Sequence, residues 1–149
     1  MAPSRSVTAN RPNRCFACGE ANPDGLHLRF DYIPVKKAVE CRLRLHSRYQ
    51  GAIGYAHGGM IATLLDEAMA KVNGKRGIRA VTLRLNVFYR KMVPVEEEIQ
   101  LIGRITRRRG RKLYLSSQIQ DHHGTVLARA TGVFLEVSPS NESDSKRST

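Results

Sequence analysis

The chain has 149 residues, 41% hydrophobic and 26% charged, which fits one globular domain and not two. No apolar run approaches the roughly 20 residues that a membrane-spanning helix needs, and the N-terminus lacks the apolar stretch of a secretory signal. The formal net charge of +12 favours anionic ligands, either nucleic acid or phosphorylated small molecules, without choosing between them.

A single domain is predicted over residues 14–137, between two polar ends. Residues 1–13 are basic and lack hydrophobic periodicity, which predicts a disordered tail, with a transit peptide as the alternative. Residues 138–149 are polar and serine-rich, which predicts a second disordered tail. Three cysteines, an odd number, do not suggest a disulfide framework, so we expect a reducing, cytoplasmic location.

The order of the predicted elements is two strands, one helix and four strands. Hydrophobic alternation predicts the strands at residues 26–33, 39–45, 80–90, 97–107, 112–120 and 125–137. An amphipathic pattern predicts the helix from Gly58 to Asn73, ended by Gly74. Because one helix cannot cover both faces of six strands, we expect the sheet to wrap around it and a dimer to cover what stays exposed.

Strand 80–90 has one alternating apolar face in this prediction. The alternation puts Val81, Leu83 and Leu85 on one face, with Thr82 and Arg84 on the other.

The stretch that leads into the helix is rich in glycine and ends in His57-Gly58-Gly59. Free N–H groups in the first turn of a helix carry partial positive charge and can hold a phosphate or a developing oxyanion. The alternative is an ordinary helix-entry turn whose histidine satisfies a backbone carbonyl.

Two adjacent carboxylates, Asp66 and Glu67, follow in the helix. Asp66 stands among apolar neighbours and lies away from the centre of the apolar arc, so it should face a groove or a partner subunit. A carboxylate in such surroundings can act as a base or a nucleophile, and a solvated helix face is the alternative. Glu67 lies on the opposite flank and is expected to be solvated or paired with Lys71.

Cys15-x-x-Cys18-Gly19 places two cysteines on a turn, which is half of a zinc site. Cys41 and His27 are available to complete such a site, but nothing in the sequence specifies them. The favoured interpretation is a packed turn with free thiols, and no metal or other cofactor is assigned.

A basic run surrounds a predicted hairpin turn at Gly110. It comprises Arg104, Arg107, Arg108, Arg109, Arg111 and Lys112. Guanidinium groups suit phosphate oxygens, whereas a nucleic-acid patch and a merely solvated hairpin are the alternatives. No aromatic residues of the kind that stack bases are interleaved, so nucleic acid is not the expected partner.

The glycine-rich stretch and the helix together resemble a family hallmark. The resemblance is carried by Tyr49-Gln50-Gly51-x-x-Gly54-x-x-His57-Gly58-Gly59-x-x-x-x-Leu64-x-Asp66. This pattern is similar to that of the PaaI-like, hotdog-fold acyl-CoA thioesterases. Segments 80–94 and 15–26 also resemble members of that family, so the resemblance covers about residues 14 to 137.

The resemblance implies an α+β hotdog fold, an antiparallel sheet wrapped around one long central helix. It also implies hydrolysis of acyl-CoA to free acid and CoA at the interface of a homodimer, with a dimer of dimers as a further option. A non-catalytic acyl-CoA or lipid-binding protein of the same fold is the first alternative, and a nucleic-acid-binding module is the second.

The resemblance also implies roles for individual residues. Asp66 corresponds to the general base or nucleophile, and Thr82 would orient the water. The amides of Gly58 and Gly59 would polarise the thioester carbonyl from the partner subunit, while His57 would hold the thioester end or position water.

Further substrate contacts are expected from Gln50, Arg84, Arg90 and Arg109. The chain departs from the family pattern at Gly51, where several members carry an asparagine, so an asparagine-assisted mechanism is not expected.

Overall fold

The computed structural model describes residues 11–138. It contains β1 (Asp31–Ile33), β2 (Ala38–Arg44), α1 (Gly58–Lys75), β3 (Ala80–Tyr89), β4 (Glu98–Arg109), β5 (Lys112–Gln120) and β6 (Val126–Glu136). Short 3-10 helices, Pro34–Lys36 and Ser47–Tyr49, flank β2. The predicted tails lie outside the described residues, except for residues 11–13 and Ser138. Among the described helices, none is long and apolar enough to span a membrane.

The six strands form one antiparallel sheet in the order β1-β2-β4-β5-β6-β3. Strand β3 follows the helix in sequence but pairs with β6, so β1 and β3 are the two edges. Helix α1 packs against every strand from β2 to β3 across one face of this sheet. The predicted α+β hotdog fold, with the sheet around one central helix, is therefore confirmed.

The core lies between α1 and the inner face of the sheet. The helix residues Leu64, Leu65, Ala68, Met69 and Val72 have no exposed surface. Helix and sheet approach closely at Gly103 of β4, where an added Cβ would lie 2.3 Å from the carbonyl oxygen of Ala68. The outer face of β5 carries Ser116, Gln118 and Gln120, which are half-buried.

The first predicted strand is mostly not a strand. Only Asp31–Ile33 of residues 26–33 pairs with β2. The N–H groups of Leu26 and Leu28 instead donate to the carbonyls of Phe16 and Ala17, and His27 adopts a φ of 52°. The N-terminal turn therefore takes the hydrogen bonds that a neighbouring strand would have used.

The helix runs past its predicted end at Gly74 and finishes at Lys75. Gly77, with a φ of 72°, provides the left-handed residue that turns the chain away. The N–H of Ile78 then donates to the carbonyl of Asn73 at 2.9 Å. Gly74 is thus a helical glycine, and the terminating glycine comes three positions later.

The predicted alternation of β3 is wrong at one point, because the strand contains a bulge. Thr82 pairs with Phe134 and Arg84 with the adjacent Val133, which leaves Leu83 as an extra residue. The alternation of side chains between the two faces is therefore reversed after Leu83. As a result Thr82 and Leu85 both lie on the helix-facing side, although the sequence pattern had put them on opposite faces. Of Thr82 and Arg84, which the alternation had put on the same face, only Arg84 lies on the outer face.

Candidate functional site

The loop before α1 is held by its own polar groups. The side-chain Oε1 of Gln50 accepts from the N–H of Gly54 at 3.1 Å, and the His57 N–H donates to the Tyr49 carbonyl at 2.9 Å. A Cβ added to Gly51 would lie 3.2 Å from the Cα of His57. Gln50 therefore braces the loop, and the absent side chain at Gly51 leaves His57 room to sit over the helix start.

His57 is the N-cap of the helix. Its Nδ1 accepts from the N–H of Gly59 at 2.9 Å, while its carbonyl accepts from the N–H groups of Met60 and Ile61. No hydrogen bond found within residues 11–138 uses the N–H of Gly58. Of the two glycine amides predicted to polarise a carbonyl, Gly58 is thus the free one and Gly59 is occupied by the histidine.

Asp66 lies farther along the same helix and meets strand β3. The Thr82 hydroxyl donates to the Oδ1 of Asp66 at 2.9 Å, across 16 residues of sequence. Asp66 is half-buried, and none of the ion pairs within residues 11–138 includes it. The structure therefore brings together the predicted base and the predicted water-orienting hydroxyl, with the second carboxylate oxygen left for another donor.

A cleft of about 340 Å³ opens beside the helix start. Its lining includes Gly58, Ile61, Tyr89, Arg90 and Met92. The Tyr89 hydroxyl donates to the Gly58 carbonyl at 2.8 Å and so holds the strand end against the helix start. Sequence reasoning had not singled out Tyr89, although its place on the helix-facing side of β3 was a usable signal.

Two of the four predicted substrate contacts lie away from Asp66 within one chain. Arg84 lines a separate cleft on the outer face, together with Tyr114 and Thr131. Arg109 is exposed at the β4–β5 hairpin, about 14 Å from β3 across three strand spacings. Arg90 is the predicted arginine that lines the same cleft as Gly58.

The basic hairpin uses part of its charge internally. Arg108 pairs with the carboxylate of Glu136, and Arg111 donates to the carbonyl of the same residue. The guanidinium of Arg107 lies 4.3 Å from the ring centroid of Tyr114. These contacts give part of the run a structural role, and phosphate binding by the remaining arginines stays a prediction.

The Cys15–Cys18 turn packs on the helix at Glu67. The two sulfurs and a Glu67 carboxylate oxygen lie within 4.8 Å of one another. Burial, followed by hydrogen bonding to Glu67, raises the pKa of Cys18 to about 11. Glu67 and Lys71 are paired as predicted, at 3.8 Å.

The two residues that the sequence offered to complete a cysteine site are elsewhere. Cys41 is buried in β2, and the ring of His27 contacts the carbonyl of Asn22. Sequence reasoning missed Glu67 as the neighbour of Cys15 and Cys18, because no local spacing links residue 15 to residue 67.

Residues 53–128 match the family model described as the thioesterase superfamily. Human acyl-coenzyme A thioesterase THEM5 is 29% identical over 128 residues, which cover 85% of this chain and 51% of that protein. The chain thus spans about half the length of the curated relatives that it matches first.

Solved structures agree with the fold. A crystal structure of a thioesterase superfamily protein superposes with a TM-score of 0.75 at 24% identity, over 87% of this chain and 68% of that one. A hypothetical thioesterase from Streptococcus pneumoniae TIGR4, solved with coenzyme A, has a TM-score of 0.65 at 21% identity, over 68% and 82%. Two further structures from the same organism are variants of a hypothetical thioesterase, one with a threonine and the other with an aspartate replaced by alanine.

Proposed function

Because the chain belongs to the thioesterase superfamily, we propose that it hydrolyses an acyl-CoA thioester to a free acid and coenzyme A. The observation that carries the proposal is the hydrogen bond from Thr82 to Asp66, which fixes a half-buried carboxylate with no cationic partner among residues 11–138. The acyl-CoA thioesterase activity named for the human relative supports the same reaction.

In this mechanism Asp66 is the general base. Thr82 occupies Oδ1 of the carboxylate, so Oδ2 takes a proton from water as the water oxygen attacks the thioester carbonyl carbon. The carbonyl oxygen becomes an oxyanion and accepts a hydrogen bond from the free N–H of Gly58, at the positive end of the helix dipole. The carbon–sulfur bond then breaks, and the proton goes to the CoA sulfur. Direct attack by the Asp66 carboxylate is the other route open to the same atoms.

One chain cannot supply both groups to one thioester. Gly58 and Asp66 lie about 12 Å apart along the axis of α1, at about 1.5 Å of rise per residue. The carbon and oxygen of a carbonyl are only about 1.2 Å apart, so base and oxyanion donor must converge within hydrogen-bond reach. We therefore place each active site between two subunits, with Asp66 from one chain and the His57–Gly58 turn from its partner.

The exposed edge of the sheet supports such a homodimer. Strand β3 has ten residues, and one of its sides pairs with no strand among residues 11–138. Exposed edges of this length favour pairing with another chain. Apolar side chains are exposed on or near it, including Leu83 at 52% and Tyr89 at 56%. A dimer of dimers remains a prediction, as does the cytoplasmic location.

The cleft beside Gly58 is the proposed place for the substrate end nearest the thioester. Ile61, Tyr89 and Met92 give it an apolar lining, and Arg90 lies among them. We propose Arg90 as a contact for an anionic group of CoA. The roles of Arg84 and Arg109 stay predictions, which require the partner chain to bring the substrate to them.

The test is an acyl-CoA panel assayed with a thiol reagent that detects released CoA. Asp66→Asn should lower kcat by about 10²–10⁴-fold, the range for losing a positioned base. Asp31→Asn is the matched control, because Asp31 is exposed on β1 at the opposite edge of the sheet. Unchanged turnover in Asp66→Asn would refute this mechanism. Saturable acyl-CoA binding without product in the unmutated chain would instead favour the non-catalytic binding protein.

A further inference from the structure

We propose that Cys15, Cys18 and Glu67 form a zinc site that fastens the N-terminal segment to helix α1. The three donor atoms lie within 4.8 Å of one another, although Glu67 is 49 positions from the nearer cysteine in the sequence. None of the three takes part in the hydrolysis proposed above, so the site is independent of that reaction.

The turn that carries the cysteines is rigidly built. The N–H of Cys15 donates to the Oδ1 of Asn13 at 3.0 Å, and the N–H of Gly19 donates to the Cys15 carbonyl at 2.7 Å. A Cβ on Gly19 would lie 2.4 Å from the Cys15 nitrogen, so only glycine allows the chain to curl this tightly. The curl is what brings both sulfurs toward Glu67.

The turn is also anchored to the domain. Ala17 is 2% exposed and belongs to the core, while its carbonyl accepts from the N–H of Leu28 at 2.9 Å. Because turn and helix are each held by other contacts, the three donors are positioned before any ion arrives. Such preorganisation reduces the ordering cost of binding.

The donor set selects the ion. Two thiolates and one carboxylate suit Zn²⁺, whereas Mg²⁺ and Ca²⁺ take oxygen ligands. In a tetrahedral site with Zn–S of about 2.3 Å and Zn–O of about 2.0 Å, ligand atoms lie roughly 3.5 Å apart. Movement of these side-chain atoms by about 1 Å closes the observed cluster to that size. Binding releases the two thiol protons and involves no oxidation.

The fourth ligand is water. A cleft of about 590 Å³ borders Cys18 and Lys71, and Cys15 is exposed, so solvent and metal both have access. A complex of Zn²⁺ with two thiolates and one carboxylate carries one negative charge. The ammonium of Lys71, 3.8 Å from the Glu67 carboxylate, neutralises that charge from outside the ligand set.

Zinc binding is tested on the 149-residue chain after chelator treatment and thiol reduction, with Zn²⁺ counted by metal analysis and Co²⁺ used as a spectroscopic probe. We expect one ion per chain and a thiolate-to-Co²⁺ charge-transfer band in the near ultraviolet. Cys15→Ser and Cys18→Ser should abolish the band, and Glu67→Gln should weaken Zn²⁺ affinity by about tenfold or more. Cys41→Ala and Glu20→Gln are the matched controls, since Cys41 lies in β2 and Glu20 is outside the cluster.

A second measurement needs no variant. Zn²⁺ should protect Cys15 and Cys18 of the unmutated chain from alkylation and leave the rate at Cys41 unchanged, as mapped by mass spectrometry. Protection of neither cysteine, a band that survives both serine substitutions, or loss of the band in Cys41→Ala would overturn the proposal. Acyl-CoA hydrolysis is not the readout, so failure of zinc binding leaves the thioesterase proposal standing.

Discussion

At the scale of single residues, the site depends on which hydrogen bonds are already made. Gly59 gives its N–H to His57, and Thr82 gives its hydroxyl to Asp66. Among the described residues, the N–H of Gly58 and the second oxygen of the Asp66 carboxylate make no hydrogen bond. Both groups are therefore available to a substrate or a water molecule. Capping and side-chain pairing thus decide which neighbouring donor or acceptor is left for a substrate.

Thr82 should act by orienting Asp66, and its hydroxyl is what matters. Thr82→Val keeps the shape but removes a hydrogen bond to a charged group, worth about 1.5–3 kcal/mol. We expect kcat to fall by roughly tenfold to 150-fold, with KM little changed. Thr82→Ser should restore most of the rate. A loss of rate in the serine variant with none in the valine variant would show that the methyl packing, and not the hydroxyl, is required.

At the scale of elements, the ends of the helix and the bulge in β3 position the site. The bulge at Leu83 turns Thr82 toward α1. The helix continues through Gly74 and is turned aside only at Gly77. Both features place β3 against the helix so that residues far apart in sequence meet.

Substitution of Gly74 and of Gly77 by alanine should have opposite effects on the free energy of unfolding. Nothing lies within 4 Å of a Cβ at either position, so conformation alone decides. Gly74→Ala should raise the free energy of unfolding by about 0.5–1 kcal/mol, because the residue is helical. Gly77→Ala should lower it by about 1–2 kcal/mol, because its φ is 72°. Urea unfolding measures both, and a shared sign would contradict a helix that includes Gly74 and ends before Gly77.

At the scale of the whole molecule, β3 is an edge strand of the sheet that the described residues form. A single chain separates Gly58 from Asp66 along one helix, so the proposed chemistry needs a second copy. Assembly and activity should therefore be lost together.

Leu83→Lys should convert a dimer to monomer and lower thioesterase activity in parallel. The added charge lies on the exposed edge strand, where lysine opposes strand pairing. Val35→Lys is the control, because Val35 is 91% exposed in the 3-10 helix before β2. Light scattering coupled to size exclusion gives the mass. A monomeric unmutated chain with full activity would rule out the two-subunit site.

The stability of the domain should fall in alkaline solution through Cys41. Burial raises the pKa of this thiol above its ordinary value of 9.0. Between pH 9 and the folded-state pKa, the unfolded chain releases this proton and the folded chain keeps it, so stability decreases as pH rises. The slope from one thiol is at most about 1.4 kcal/mol per pH unit. Cys41→Ala should flatten the profile of unfolding free energy in this alkaline range, and identical profiles would exclude the effect.

Local periodicity in the sequence determined the fold class, the single helix, five of the six strands nearly in full, and the separation of Asp66 from Glu67. These follow from alternation every two residues in strands and about every 3.6 in helices, which neighbours in sequence suffice to show. The resemblance then named the hotdog fold and the roles of the site residues.

Only the tertiary structure decided that Thr82 faces Asp66, that Gly58 is the free amide, and that Glu67 meets Cys15 and Cys18. A bulge inserts one unpaired residue and reverses the alternation beyond it, which no periodic count reveals. A cap is chosen by side-chain geometry, and the cysteine cluster joins a turn to a helix distant in sequence. Such contacts arise when the chain closes around its core, because packing and not local pattern brings those atoms together.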